Sequence, residues 1–103
     1  MATRIQLHEE LKTLLGSSYV YFQPPETIKM KYPCFVYNTE PGGLRHADNL
    51  MYIYNARYTL TYITREPDHI DMVKRVLRTF EMIDHDRSFV NDNLYHEVFD
   101  LYY

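Results

Sequence analysis

The sequence predicts an α+β domain with a largely antiparallel sheet and two packed helices, in the order α-β-β-β-α-β-β. Three observations predict it. Only two stretches carry the period of a helix, too few to cover both faces of a doubly wound sheet. Five stretches carry strand signals rich in Tyr, Phe, Val and Ile, and the last two are separated by turn-forming residues, as in a hairpin. The chain has 103 residues, the size of one domain, so residues 1–103 are read as a single module with one shared core.

The first helix is predicted over Arg4 to Leu15. Leu7, Leu11, Leu14 and Leu15 fall at i, i+4, i+7 and i+8, which makes one apolar stripe and leaves Arg4, Glu9 and Lys12 off it. Thr3 and Gln6 have the spacing of a capping box, and Gly16 supplies a left-handed stop. Tyr19 to Phe22 reads as a short first or edge strand, ended by Pro24 and Pro25 because consecutive prolines remove backbone donors. Tyr32 to Tyr37 reads as a second strand, with Pro33 at its start, where a missing amide is tolerated. Pro41-Gly42-Gly43 breaks the chain, and Leu44 to Leu50 has neither period, so this stretch is expected to be a mobile loop.

Met51 to Thr64 is the longest strand signal. Tyr54, Ala56, Tyr58, Leu60 and Tyr62 alternate with Asn55, Arg57, Thr59 and Thr61, so one face is expected in the core and the other in water or under a partner. Glu66-Pro67-Asp68 stops the strand and starts a second helix, whose Ile70, Val73, Val76, Leu77 and Phe80 share one arc that is expected to pack. Asp68 and Asp71 near its start and Lys74, Arg75 and Arg78 further on suit the helix dipole. Arg87 to Val90 and Leu94 to Tyr103 are predicted to form a closing hairpin across Asn91-Asp92-Asn93, residues that tolerate left-handed backbone.

Composition then narrows the function classes. Fourteen acidic residues against eleven basic give a net charge of −3, without the basic excess that drives nonspecific nucleic-acid binding. Arg65, Lys74, Arg75, Arg78 and Arg87 could cluster, but the three helical cations lie opposite the apolar arc, where any soluble helix carries charge. A single cysteine, Cys34, excludes an intrachain disulfide and a paired-cysteine zinc site, and its apolar surroundings suit a small buried hydrophobe better than a nucleophile. No apolar run approaches the roughly 18 residues of a membrane span, and Met1 to Gly16 lacks the pattern of a signal peptide, so a soluble protein of a reducing cytosol is expected. Eleven tyrosines and five phenylalanines suit both strands and contact surfaces, because a Tyr ring is apolar with a polar tip.

Candidate chemistry is sparse. His46 with Asp48, His69 with Asp71, and Asp84-His85-Asp86 are possible ligand pairs, yet an i, i+2 offset diverges on a helix and the others sit in turns or strand edges. These residues are expected at the surface in polar turns. Gly42-Gly43 is followed by no phosphate-loop lysine, and no feature selects two carboxylates as an acid-base pair. No cofactor, metal or enzymatic activity is expected.

The stretches Tyr21-Phe22-Gln23-Pro24-Pro25, Lys31-Tyr32-Pro33-Cys34-Phe35-Val36-Tyr37 and Asp92-Asn93-Leu94-Tyr95-His96-Glu97-Val98-Phe99-Asp100-Leu101-Tyr102-Tyr103, in this order, carry a resemblance. With the short first helix and a central strand running into Arg65-Glu66-Pro67-Asp68, the chain resembles, over nearly its whole length, the tail-completion or tail-terminator proteins of long-tailed bacteriophages. The likeness lies in order and co-occurrence, since none of these stretches is a catalytic fingerprint.

The resemblance implies a structural virion protein at the head-tail joint, assembled in the host cytoplasm. In this family it is typically a hexameric ring that caps the tail tube, stops its growth and offers a surface to the head connector. Implied partners are further copies of the chain, the major tail tube protein and a head-completion or connector protein, with DNA only as cargo and no membrane. A ring needs two patches on one subunit that close under rotation. Leu44, Arg45, Asp48, Leu50, Met51 and Arg57 are the candidate subunit or partner contacts, the loop through its apolar residues and Arg45, Arg57 and Asp48 through ion pairs. The alternatives are a head-completion or adaptor protein on the portal side, and a small non-virion protein that binds a host target.

Overall fold

Helix α1 (Arg4–Leu15) forms on its leucine stripe in a computed structural model that describes residues 4–25, 28–39 and 57–103. Leu7, Leu11 and Leu14 are buried and Leu15 packs against them. Gly16, at φ 80°, stops the helix as expected, and its amide donates to the Lys12 carbonyl at 2.9 Å. Thr3, the expected cap, lies outside the described residues.

The strands are β1 (Val20–Phe22), β2 (Cys34–Thr39), β3 (Arg57–Thr64), β4 (Met82–Asn91) and β5 (Leu94–Tyr102), with helix α2 (Ile70–Thr79) between β3 and β4. They make one sheet in the order β1-β2-β3-β5-β4, parallel only between β1 and β2. The predicted class and element order are both present. Two strands differ by more than one residue: β2 starts and ends two residues later than predicted, and β4 begins at Met82 rather than Arg87. Of the long central signal, Met51 to Ala56 lies outside the described residues.

Register fixes which residues share a face. Phe35 pairs with Tyr62, Tyr37 with Leu60, Leu60 with Phe99 and Tyr58 with Leu101, so these side chains line one face, and both helices pack there. Glu97, opposite Tyr62, lies on that same face at its end. The other face carries Arg57, Thr59, Thr61, His96, Val98 and Asp100 from β3 and β5. Tyr37 also fastens α1 to the sheet: its hydroxyl lies 2.8 Å from His8 Nδ1 and 3.2 Å from Arg4 Nη1. Burial, then the neighbouring Lys12 and Arg4, hold His8 below its ordinary pKa, so its neutral ring accepts the phenol proton.

Helix α2 packs through Val73, Val76 and Phe80 but not through the whole predicted arc. Ile70 is 60% exposed and Leu77 37%, while Met72 is partly buried. The helix is therefore rotated about its axis: Met72 flanks the buried stripe on one side, and Ile70 and Leu77, two turns apart, fall together at its wet margin on the other. Arg75 is likewise more than a solvated cation, because its Nη2 donates to the Leu14 carbonyl at 3.0 Å and satisfies one of the free acceptors at the end of α1.

Candidate functional site at the sheet edge

The closing hairpin is built by its turn. Asp92 and Asn93 adopt φ 53° and 62°, and Asn91 pairs with Leu94, which is the two-residue, doubly left-handed turn that matches strand twist. Behind it, β4 is the outer strand, and its residues from Asp84 onward are all exposed. A bulge between His85 and Arg87 places His85 and Ser88 on the helix-covered face and Arg87 and Phe89 on the opposite one.

Glu97 is the hub that joins this edge to α2. It is 8% exposed on a face otherwise occupied by Phe99 and Leu101. A carboxylate at such a position needs donors, and three converge on it. His69 Nε2 lies 2.6 Å from Oε2, His85 Nε2 lies 2.8 Å from Oε1, and the Ser88 hydroxyl donates to Oε1. His69 stands at the N-cap position of α2, and its other nitrogen, Nδ1, lies 2.8 Å from the Glu66 carbonyl. Both of its nitrogens thus face acceptors, an arrangement that suits the doubly protonated imidazolium.

The electrostatics agree with that geometry. Burial pulls the His69 pKa down, but its bonds to Glu97 and to backbone carbonyls outweigh this and hold it above the ordinary 6.5. Burial likewise pushes Glu97 up, and the donors Ser88, His69 and His85 together bring it below 4.5. The cluster is therefore a charged clamp at near-neutral and mildly acidic pH.

Its geometry does not activate Ser88. The hydroxyl lies 3.3 Å from His85 Nε2, yet that same nitrogen faces Glu97 and the hydroxyl itself donates to the carboxylate. In a nucleophile-base-acid triad the acid holds the opposite ring nitrogen. Among the described residues no group of three or more His, Cys, Asp or Glu side chains is arranged to hold a metal ion. Cys34 is fully buried, and burial pushes its thiol pKa up to about 12, so it stays protonated and inert.

The sequence missed this cluster. His69 and His85 were expected in polar turns; instead one stands at the start of a helix and the other in a strand, and both reach the same carboxylate. The available signal was Glu97 itself, an acid in phase with Phe99 and Leu101 on the apolar side of a strand.

Of the predicted contact residues, Leu44, Arg45, Asp48, Leu50 and Met51 lie outside the described residues. Arg57 is described, on the face opposite the helices, beside the hub's strand. Its Nη2 lies 3.6 Å from Asp100 Oδ1 within the same chain, and its guanidinium lies 5.9 Å from the Tyr102 ring centre. Its buried Nε has no hydrogen-bond partner among the described residues. Further along this face Phe89 stacks on His96 at 4.5 Å, with Arg87 6.0 Å from the Phe89 ring. Arg87 therefore stands across the sheet from Lys74, Arg75 and Arg78 on α2, which separates the cations that could have formed a nucleic-acid patch.

Comparison of the chain with protein-family models, with curated proteins and with solved structures finds no match in any of the three.

Proposed function

We propose that this protein is a structural subunit of a long-tailed phage virion, which closes the head-proximal end of the tail tube as a ring, typically of six copies. It ends tail growth and offers the surface to which the head connector joins. The observation that carries this reading is the sheet face opposite the helices, towards the β4 edge. There Arg57, Tyr102, Asp100, Arg87, Phe89 and His96 form a mixed aromatic and charged surface, the composition that recurs at protein contacts. The helix-covered face supplies the rigid body behind it. The order of the strand stretches that carries the resemblance to tail-terminator proteins supports the same reading.

The reading gives the chain several partners: copies of itself, the tube protein and a connector protein. DNA passes through the channel as cargo, which the net charge of −3 suits. Electron microscopy of a lysate from a phage with a stop codon in this gene tests it. Filled heads beside separate tails of irregular or excessive length are expected. Normal tails beside heads that leak DNA would move the protein to the portal side of the joint, and intact infectious particles would end the virion reading in favour of a host-directed binding protein.

A further inference from the structure

We infer that α2 packs antiparallel against α2 of a second copy of this chain, through a stripe that the single chain leaves exposed. The apolar arc of α2 is wider than its own core uses. Val73, Val76 and Phe80 are buried, whereas Ile70 and Leu77 stand exposed. These two are seven residues apart, the spacing that keeps side chains on one line along a helix, and Lys74 lies between them. At ~100° per residue Lys74 is about 160° round the helix from Val76, so the line faces away from the sheet. Asp71 and Arg78, also seven apart, run beside it. Asp71, Lys74 and Arg78 are all exposed, and none of them makes an ion pair or a side-chain hydrogen bond among the described residues. Arg75, the remaining cation of α2, is held on the opposite flank at the Leu14 carbonyl.

The charge order along this stripe selects the partner. Asp71 near the start of α2 and Arg78 near its end match each other only when the second helix is reversed. About a two-fold axis close to Lys74, Ile70 of each copy meets Leu77 of the other, and Asp71 of each lies beside Arg78 of the other. The two helix dipoles then oppose as well, each N-terminus beside the other's C-terminus. A parallel copy would set Asp71 beside Asp71 and Arg78 beside Arg78, and a partner helix of one charge sign would match only part of the stripe. Lys74 meets its own counterpart at the axis, a polar residue in the seam that costs stability and fixes the register. The patch is small, so the dimer is weak and reversible. It lies on the helix-covered side, away from the sheet face opposite the helices, and it does not rest on the virion reading.

Sedimentation velocity of the purified chain, from micromolar to millimolar concentration, tests the pairing. A reversible dimer is expected at the upper end. Asp71→Arg and Arg78→Asp alone each set like charges together on both sides of the axis, and each should weaken association roughly tenfold. The double swap, Asp71→Arg with Arg78→Asp, should associate more tightly than either single variant. Asp71 and Arg78 also suit the helix dipole, so two substitutions that leave the dipole alone stand beside them. Ile70→Ser should weaken association about tenfold, and Lys74→Gln, which removes the like charges at the axis, should tighten it severalfold. All four positions are exposed, so circular dichroism should be unchanged. A chain that stays monomeric at millimolar concentration would overturn the pairing. So would a dimer indifferent to Ile70→Ser and to the single reversals, or a double swap no tighter than they are.

Discussion

Two phenylalanines in one hairpin divide the molecule. Phe99, in β5, is fully buried between the sheet and its helices; Phe89, one strand outward in β4, is 42% exposed and touches His96 and Arg87. The inner strands are held by what their side chains bury. The outer strand is held by its backbone ladder to β5 and by a few polar side chains that reach Glu97. The same chemistry therefore costs different amounts to remove in the two places, and the edge is the part whose hold depends on protonation.

The largest expected effect sharpens that contrast. Phe99→Ala should lower unfolding free energy by about 3 to 5 kcal/mol in denaturant titrations, whereas Phe89→Ala should cost under about 1 kcal/mol. Similar losses at both positions would break the comparison. Next comes the hub: Glu97→Gln leaves two histidines and a serine with a weaker acceptor and should cost about 2 kcal/mol in the same titration.

The pH dependence of the clamp follows from its two shifts. His69 has its pKa raised by folding, so its contribution is complete below about 6.5 and is lost as pH rises through the raised value. Glu97 has its pKa lowered, so its contribution is complete above about 4.5 and is lost as pH falls through the lowered value. The stability difference between the protein and His69→Gln should therefore be greatest between about pH 4.5 and 6.5 and shrink on both sides. Taking that difference cancels His8, whose lowered pKa acts in the opposite sense in both proteins. A difference independent of pH would show that His69 packs without its charge.

Smaller effects mark the hairpin and the sheet face opposite the helices. Asn93→Val forces a β-branched residue into φ 62° and should cost about 1 to 2 kcal/mol, while Asn93→Gly should cost nothing measurable. Arg57→Ala should change stability by no more than about 1 kcal/mol, because the Asp100 pair is partly exposed and 3.6 Å long. Under the proposed function the same variant should impair tail capping in a complementation assay, which separates contact from folding.

The difference between core and edge also explains what could be read from the sequence. Tyr58, Leu60 and Tyr62 alternate because one side of β3 is buried, and the leucines of α1 repeat because one stripe is buried. Burial writes a period. Residues Met82 to Asp86 are a strand with almost nothing buried, so no alternation marks them and only pairing with β5 makes them extended. Glu97, His69 and His85 are separated in the chain by 12 to 28 residues, and their convergence depends on where α2 crosses the end of the sheet. An acid in a buried phase announces that partners exist without saying which. The rotation of α2 that exposes Ile70 and Leu77 was equally hidden, since a wide apolar arc does not fix which of its margins meets the sheet.

The central claim is that the β4 edge opens separately from the inner sheet and is fastened by the Glu97 clamp. Native-state hydrogen exchange on dilute protein near pH 6 measures it directly, in the natural chain and in Glu97→Gln. Amides that bond β4 to β5 should open at lower free energy than those between β2 and β3, and the substitution should speed their exchange about tenfold or more. If β4 amides are as protected as those of the inner strands, or if their exchange ignores the substitution, the clamp does not hold the edge.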